Sequence, residues 1–376
     1  MQVQVIAAQS VEEFSRRLAS LGPDFTLAIV FASDRHDFEA IRRAAAEHGL
    51  DVFGASSAGE IAGGAILEDG IAATVVDLPR DAYRVQAFPS PDHDMLALGR
   101  RIGDWIGGTF ARPAALLHQS GPLLDGEALL KGIHAVAGAA LPVFGGRAAT
   151  NGDILKTWSF DRTRVVPQGA VVLVLDRDKV EIEATAAAGW KPIGTPKTVT
   201  RADGNVVHEL DGQPALEVIS RYLPLERDIV QVSPLHPFHI VRPDGTSVLR
   251  STMIWNKEDG SVLMAGSVPE GSKCSFTVAA GQGIKDATVS ETAALRRRVE
   301  SADLLLLYSC LGRLMALGPI IEDEVGGVCA AWGAPALGFF TFGEFGRLPG
   351  AGSDFHNNTC VIVAISTPAP PGEPAA

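Results

Sequence analysis

Short apolar runs alternate with helical patterns along most of the chain. The runs are only a few residues long and many of them are rich in β-branched residues, which is typical of buried strands. Examples are Thr26–Phe31, Ile71–Val76, Ala170–Leu175 and Leu304–Tyr308. This alternation predicts repeated strand–helix–strand units.

Two helices are well marked by the residues at their ends. Residues Phe38–His48 follow Asp37, a favourable N-cap, and are followed by Gly49. Residues Ile284–Glu300 carry the basic run Arg296–Arg298 near the C-terminal end, where cations suit the helix dipole. We interpret that run as a solvated helix face.

Turn signals at Pro243–Gly245 and Glu258–Gly260 predict hairpins between the strand–helix–strand units. The fold class is therefore mixed α/β, with mixed sheets covered by helices. Two prolines and a glycine in Trp190–Thr200 mark a domain boundary. We accordingly predict two related regions, residues 1–190 and 191–366, and a disordered Pro-rich tail at residues 367–376.

An internal pseudo-repeat is the most informative feature of the sequence. In the first half, a strand ending in Phe31–Ser33 is followed by a helix and then by Val52–Glu60. In the second half, Leu307–Cys310 is followed by a helical stretch and then by Leu337–Glu344. Both copies run from an apolar strand into a hydroxyl residue and a Gly-Glu pair.

A weaker third copy lies between these two. It consists of Leu116–Ser120, a helical pattern at Glu127–Ala137, and Pro142–Gly146, and it lacks the Gly-Glu pair.

Glycines let the backbone approach a ligand closely, and hydroxyls and carboxylates supply convergent polar groups. The two Gly-Glu turns are therefore expected to share one ligand site, formed by Ser56, Ser57, Gly59, Glu60, Thr341, Gly343 and Glu344. In the alternative interpretation, each carboxylate only caps backbone amides of a hairpin.

Composition and charge exclude several classes of protein. The 376 residues are 46% hydrophobic and 20% charged, with a net charge of -12, which opposes binding to nucleic acids or anionic membranes. No apolar stretch is long enough to span a membrane. The four cysteines lie far apart without a Cys-x-x-Cys pair, so zinc and iron–sulfur sites have no support from spacing. A cytoplasmic location with reduced thiols is expected.

At the two Gly-Glu turns and at Cys310–Arg313, the sequence resembles the FIST family. Gly54–Glu60 matches its Gly-x-Ser-Ser/Thr-x-Gly-Glu stretch, Cys310–Arg313 its Cys-x-Gly-Arg element, and Phe340–Glu344 its Thr-x-Gly-Glu element. The resemblance extends from about Thr26 to Ile365. It implies a FIST-N region at 1–190 and a FIST-C region at 191–366, and it adds Cys310 and Arg313 to the expected ligand-binding residues. One departure is Arg147, which stands where the family more often has small residues and could alter this turn or point into solvent.

The resemblance implies an intracellular sensor that binds a small molecule or a gas. Because the chain has no room for an output domain, a separate partner is expected, such as a histidine kinase or a cyclic-di-nucleotide enzyme. Some stand-alone FIST proteins are nitric-oxide-sensing haem proteins. We therefore favour a haem-based nitric oxide sensor over a sensor for an amino-acid-like or other small molecule.

A haem b group needs a neutral imidazole in an apolar pocket. His208, in the alternating pattern Val206–Leu210, is the preferred axial ligand, although it could equally be a half-exposed strand histidine. His236 and His239 are three residues apart, but Pro237 between them disfavours a metal pair on a helix.

Enzymatic interpretations rest on few residues. Ser57 could be the nucleophile of a variant elbow, but Gly63 and Gly64 favour a hairpin over the required helix. Glu60 and Glu344 could share acid–base work in a hydrolase or lyase if they face each other. Cys310 lies beside Arg313, whose guanidinium could lower the pKa of its thiol. Whether the chain is an enzyme stays open, with a sensor preferred.

Overall fold

The computed structural model describes residues 1–22, 24–223, 235–348 and 352–368. Of the Pro-rich tail, residues 369–376 lie outside the described residues. The chain contains three copies of one unit, in the order strand, helix, strand, helix, strand, hairpin, strand. The sequence predicted two clear copies and a weak third, and the structure confirms all three.

The elements of each copy follow in chain order. The first copy comprises β1 (Val3–Ala8), α1 (Val11–Ala19), β2 (Leu27–Ser33), α2 (Phe38–Glu47), β3 (Asp51–Ser57), β4 (Glu60–Ala62), β5 (Ala65–Leu67) and β6 (Ile71–Val76). The second copy comprises β7 (Tyr83–Pro89), α3 (Met95–Gly107), β8 (Pro113–Ser120), α4 (Gly126–Ala137), β9 (Val143–Arg147), β10 (Ser159–Asp161), β11 (Val165–Val166) and β12 (Gly169–Asp176).

The third copy is interrupted by an inserted sheet. It begins with β13 (Glu181–Ala187). The insert comprises β14 (Lys191–Asp203), β15 (Val206–Leu210), β16 (Gln213–Pro214), α5 (Ala215–Ser220), β17 (Phe238–Val241), β18 (Ser247–Arg250), β19 (Thr252–Trp255), β20 (Val262–Met264) and β21 (Lys273–Val278). The third copy resumes with α6 (Gly281–Arg298), β22 (Leu304–Cys310), α7 (Leu311–Leu317), α8 (Ile320–Ala330), β23 (Ala336–Thr341), β24 (Glu344–Arg347), β25 (Ser353–His356) and β26 (Cys360–Ser366).

The three copies exchange their hairpins in a cycle. Their sheets have the equivalent orders β1-β6-β2-β3-β10-β11, β7-β12-β8-β9-β24-β25 and β13-β26-β22-β23-β4-β5. The hairpin of the first copy extends the sheet of the third, that of the third extends the second, and that of the second extends the first. In each sheet the two strands joined by a helical crossover are parallel and the other pairs are antiparallel, so the predicted mixed α/β fold is confirmed.

Three buried rings in equivalent positions meet at the centre of the molecule. Phe31, His118 and Tyr308 each lie two residues before the end of the corresponding strand of their copy. The ring centroids are 5.2 Å apart for Phe31 and His118, 5.7 Å for His118 and Tyr308, and 6.2 Å for Phe31 and Tyr308. Burial lowers the pKa of His118 to about 3, so its imidazole is neutral. The copies are thus arranged about a pseudo-threefold axis through these rings.

The helices cover the outer faces of the sheets, and among the described residues no helix is both long and apolar enough to span a lipid bilayer. Helices α3 and α4 pack especially closely because glycines lie at their contact. A Cβ atom on Gly99 would lie 2.1 Å from the carbonyl oxygen of Leu129. Any side chain at this position must therefore push the two helices apart.

We expect Gly99→Ala to lower the free energy of unfolding by about 1–3 kcal/mol, the usual cost of overpacking. Gly107, at the end of the same helix, has open space around it, with no atom within 4 Å of where a Cβ would lie. Gly107→Ala is therefore the matched control and should be neutral or slightly stabilising. Urea denaturation of both variants measures the effect. Equal stabilities of the two variants would contradict the close helix contact.

Candidate functional site

The first Gly-Glu turn is built around the carboxylate of Glu60. Glu60 begins β4 and is fully buried. Ser57, the last residue of β3, donates its hydroxyl hydrogen to one carboxylate oxygen, and the amide of Gly70 donates to the other at 2.9 Å. Gly70 directly precedes β6, so the carboxylate joins the two ends of the exchanged hairpin.

The second Gly-Glu turn repeats this arrangement. Thr341 Oγ1 donates to one oxygen of the fully buried Glu344. The other oxygen accepts from the amide of Thr359 at 3.1 Å and from its hydroxyl at 2.7 Å. Thr359 directly precedes β26, as Gly70 precedes β6, so the two turns are equivalent in contacts as well as in sequence.

The turns contact one another around the pseudo-threefold axis. The amide of Ala58 donates to the carbonyl of Phe340 at 3.2 Å, and the amide of Phe340 donates to that of Gly59 at 2.9 Å. In the same way, the amide of Arg147 donates to the carbonyl of Gly343 at 2.7 Å. The structure therefore brings the predicted turn residues of both halves into one neighbourhood.

The second copy has Ser159 in the place of the glutamate. Ser159 is paired with Ala55 across the exchanged strands, just as Glu60 is paired with Phe339 and Glu344 with Gly146. Its hydroxyl lies 3.1 Å from that of Ser120. The three equivalent positions therefore hold two carboxylates and, in the second copy, one hydroxyl.

These two carboxylates cap backbone amides, as the alternative interpretation of the turns expected. Burial raises the pKa of Glu60 and of Glu344 to about 7, against the hydrogen bonds that lower it. Each carboxylate has its own set of donors. Ligand binding by Ser56, Ser57, Gly59, Glu60, Thr341, Gly343 and Glu344 stays a prediction.

Ser57 does not sit on a nucleophile elbow. An elbow turns from a strand directly into a helix, whereas β3 is followed here by the hairpin strands β4 and β5. Gly63 and Gly64 connect these strands with φ values of 60° and 89°, which suits a two-residue turn with positive φ at both positions. The predicted hairpin is confirmed, and Ser57 serves as a donor to Glu60.

Arg313 is the most heavily bonded side chain of the predicted site. It is fully buried and pairs with Glu324, which is 2% exposed. Its guanidinium also donates to Thr288 Oγ1 at 2.7 Å and to the carbonyl of Ala188 at 2.6 Å. With its donors in use on these acceptors, Arg313 acts as an internal clamp, and its expected contact with a ligand stays a prediction.

Cys310 is buried beside Glu344 rather than activated by Arg313. Burial and the nearby Glu344 carboxylate raise the pKa of its thiol well above the usual range. Arg313, which could have lowered this pKa, pairs with Glu324 instead, and the pKa shifts in the opposite direction. A raised thiol pKa disfavours the reactive thiolate.

Arg147 points into the protein. The alternative that its side chain points into solvent is therefore wrong. Its side chain is 1% exposed and lies over the ring of Phe355, with 4.6 Å between guanidinium carbon and ring centroid. It donates to the carbonyls of Pro122 at 3.0 Å and Leu124 at 2.7 Å. Arg147 thus fixes the loop that leads into α4.

A network of charged residues joins the insert to the second copy, and sequence reasoning did not find it. Glu127 at the start of α4 pairs with both Arg250 and Arg242, the latter at 3.1 Å. Arg242 also donates to Asp354 Oδ1 at 3.1 Å. The paired residues are more than 100 positions apart, and none belongs to a recognisable sequence motif.

His208 lies half-buried on β15, in the strand that its alternating pattern predicted. Close to it are charged groups: Glu209 pairs with Arg201 at 3.0 Å, and the charge of His208 acts on the carboxyl of Asp259. These charged surroundings do not fit a haem, which needs an apolar wall. In the part of the chain that the structure describes, no group of three His, Cys, Asp or Glu residues could hold a metal ion. Axial ligation by His208 stays a prediction.

A cleft of about 510 Å³ opens on the inserted sheet, at a place that sequence reasoning treated as a domain boundary. Strands β14 and β21 pair at Ile193 and Phe276 and again at Lys197 and Cys274, with a register shift between. Gly194 and Pro196 fall within that interruption, where the strands separate. The lining comprises Ile193, Gly194, Thr195, Lys197, Tyr222, Leu223, His236, Phe276, Thr277 and Val278.

The cleft has an aromatic wall and an imidazole. Phe276 packs against Tyr222 with ring centroids 4.9 Å apart. Tyr222 is 61% exposed, so the wall reaches the mouth of the cleft. His236 Nδ1 lies 3.5 Å from the carbonyl oxygen of Thr277, a contact that leaves Nε2 for a ligand. This volume and this mixture of apolar and polar groups are typical of small-molecule sites.

Comparison with known proteins identifies the two halves. The FIST N domain model matches residues 26–213 and the FIST C domain model matches residues 215–347. An uncharacterised protein of Mycobacterium bovis is 31% identical over 179 residues, covering 43% of this chain and 45% of that protein. One of Methanocaldococcus jannaschii is 27% identical over 187 residues, covering 46% of this chain and 36% of that protein. The chain thus spans about half the length, or less, of these curated relatives.

Proposed function

The chain belongs to the FIST family, and we propose that it senses a small organic molecule in the cleft between β14 and β21. FIST domains are sensor domains in signal transduction. The observation that carries the proposal is the cleft, because it combines an aromatic wall, an imidazole and an open mouth. The predicted turn residues, by contrast, are buried and bonded to one another.

The cleft is placed where binding can affect the rest of the molecule. Strand β14 begins directly after Trp190, and β21 leads into α6. Arg313 donates to the carbonyl of Ala188 at 2.6 Å and to that of Ile284 at 3.3 Å, so it contacts both connections between the insert and the body. We infer that a ligand held between the two strands alters this junction and, through it, the affinity for a separate cytoplasmic output protein, such as a histidine kinase or a cyclic-di-nucleotide enzyme.

The experiment is a thermal-shift screen of amino acids, aromatic and aliphatic carboxylates, and nucleobases. At 100 times its Kd, a ligand should stabilise the folded chain by about 2.7 kcal/mol. Thr195→Trp places a large ring in the cleft and should abolish the shift. Val289→Trp, at a position on α6 that is 51% exposed and outside the lining, is the matched control and should preserve it.

Haem-based nitric oxide sensing is the second candidate, and the observation in its favour is the position of His236 in the cleft. Haem would supply the gas-binding iron, and His236 would supply the imidazole against an apolar wall of Phe276 and Tyr222. An absorption spectrum after expression with a haem precursor tests this. A Soret band that shifts with nitric oxide and is lost in His236→Ala supports haem, and a colourless protein that takes up no haem excludes it.

A further inference from the structure

The lining of the cleft combines aromatic rings with a cation. Phe276 and Tyr222 form its aromatic wall, and Lys197 also lines it. Among the described residues that line the cleft, Lys197 is the one that carries an ammonium group, and none carries a carboxylate. The site therefore presents an apolar surface next to a cation.

The charge of Lys197 is only partly neutralised by its surroundings. Its Nζ lies 3.1 Å from Asp211 Oδ2. The same carboxylate also accepts from the amide of Thr198 at 2.7 Å, and the charge of Lys273 acts on it too. Two ammonium groups thus share one carboxylate, which leaves a net positive charge beside the cleft.

The interruption of the β14–β21 ladder exposes the polar backbone near Lys197. Between the pairs Ile193–Phe276 and Lys197–Cys274, three residues of β14 have no partner in the register with β21. A backbone amide next to an ammonium group is a favourable environment for an anion, since hydrogen bonds to charged groups are stronger than those between neutral groups. The apolar body of such an anion would lie on the rings of Phe276 and Tyr222.

We propose that the cleft binds an amphipathic monocarboxylate, with its carboxylate at Lys197 and its apolar body against Phe276 and Tyr222. This inference rests on the proposed function, because it names the class of the sensed molecule. Binding needs no covalent step. The cation among the described lining residues favours an anionic group over a cationic one, and the aromatic wall favours an apolar body over a small inorganic anion.

Two probes of nearly equal shape test the proposal: 4-phenylbutyrate, an anion, and 4-phenyl-1-butanol, its neutral counterpart. Calorimetric titration of the full chain should show tighter binding of the anion. Lys197→Met retains the apolar stem of the side chain and should weaken binding of 4-phenylbutyrate about tenfold, the equivalent of one charge-assisted hydrogen bond of about 1.4 kcal/mol, while leaving the alcohol unchanged. Lys179→Met, which removes a surface partner of Asp81 outside the insert, is the control and should alter neither.

The outcomes separate the two proposals. If both probes bind equally, bind normally to Lys197→Met and lose binding in Thr195→Trp, the cleft is a ligand site but the carboxylate class is wrong. If neither probe binds, the carboxylate class is wrong as well. The proposed function itself fails only if no compound of the wider screen produces a shift that Thr195→Trp abolishes.

Discussion

Replacing Arg313 with methionine should lower the free energy of unfolding by about 3–5 kcal/mol, because the change leaves Glu324 buried without its cation. Arg313 is 0% exposed and Glu324 2% exposed, so water cannot solvate the remaining carboxylate. Thr288 Oγ1 would still donate to Glu324, at 2.7 Å, but a hydroxyl does not neutralise a charge. Urea denaturation near neutral pH measures the loss.

A second variant distinguishes the ion pair from the other contacts of Arg313. In Arg313→Met/Glu324→Met the buried charge is gone, and apolar replacements of buried ion pairs are often well tolerated. We expect this variant to recover much of the stability lost in the single variant. No recovery would show that the carbonyls of Ala188 and Ile284, rather than Glu324, account for the cost.

A surface pair that also involves α8 provides the matched control. Lys285 on α6 lies 3.2 Å from Asp323 on α8, and the side chain of Asp323 is 69% exposed. Solvent-exposed pairs contribute about 0.2–1 kcal/mol. Lys285→Met should therefore have a small effect, and a loss comparable to that of Arg313→Met would contradict the role assigned to burial.

Local patterns in the sequence were sufficient to predict the individual elements. The Asp37 side chain caps α2 by accepting from the amide of Glu39, as its position before an apolar pattern indicated. The turns at Pro243–Gly245 and Glu258–Gly260 lie between β17 and β18 and between β19 and β20. These features depend on neighbouring residues, so they can be read from short windows.

The cyclic exchange of hairpins could not be predicted in the same way. Glu60 pairs with Phe339, and Glu344 pairs with Gly146, across separations of about 200 residues or more. The exchanged strand β4 has only three residues, too few to show a period. The sequence repeat indicated that the two Gly-Glu turns are equivalent, but only the sheet order shows that each carboxylate closes a hairpin that lies on another copy.

The candidate site was predicted only in part, for a physical reason. Glycine, hydroxyl and carboxylate residues serve hairpin closure and ligand binding equally well, so the motif does not separate these roles. The burial of Arg147 depends on carbonyl groups, which leave no mark on the sequence. The cleft arises from a register shift at Gly194–Pro196, whose composition also suits a domain boundary.

The two buried glutamates should make stability depend on pH in a direction opposite to that of ordinary surface carboxylates. Burial raises the pKa of Glu60 and of Glu344 from 4.5 to about 7 in the folded chain. The folded state therefore binds protons more tightly than the unfolded state between these two values. Each group stabilises the fold fully below pH 4.5, and this contribution is lost as the pH rises through about 7.

Glutamine mimics the protonated acid at all pH values and isolates this effect. At Glu60, the amide oxygen can accept from Gly70 and the amide nitrogen can donate to Ser57 Oγ, so the hydrogen bonds are retained. The free energy of unfolding of Glu60→Gln, relative to that of the unmodified chain, should rise by about 1.4 kcal/mol per pH unit between the two pKa values. The total rise should be about 3 kcal/mol. Glu344→Gln should behave in the same way.

Urea denaturation at several pH values between about 4.5 and 8 measures the difference in unfolding free energy between each variant and the unmodified chain. Glu13→Gln is the control at an exposed carboxylate. The Gln9 amide and Arg17 lower the pKa of this surface glutamate, so its contribution is present at higher pH and is lost on acidification. Over this pH range the difference should therefore rise with pH for Glu60→Gln and stay nearly constant for Glu13→Gln, because the Glu13 contribution is lost only below about pH 4.5. If this difference does not change with pH for either buried position, both carboxyl groups are ionised in the folded chain over the whole pH range. Each Gly-Glu turn is then held closed by a carboxylate anion rather than by a protonated carboxyl group.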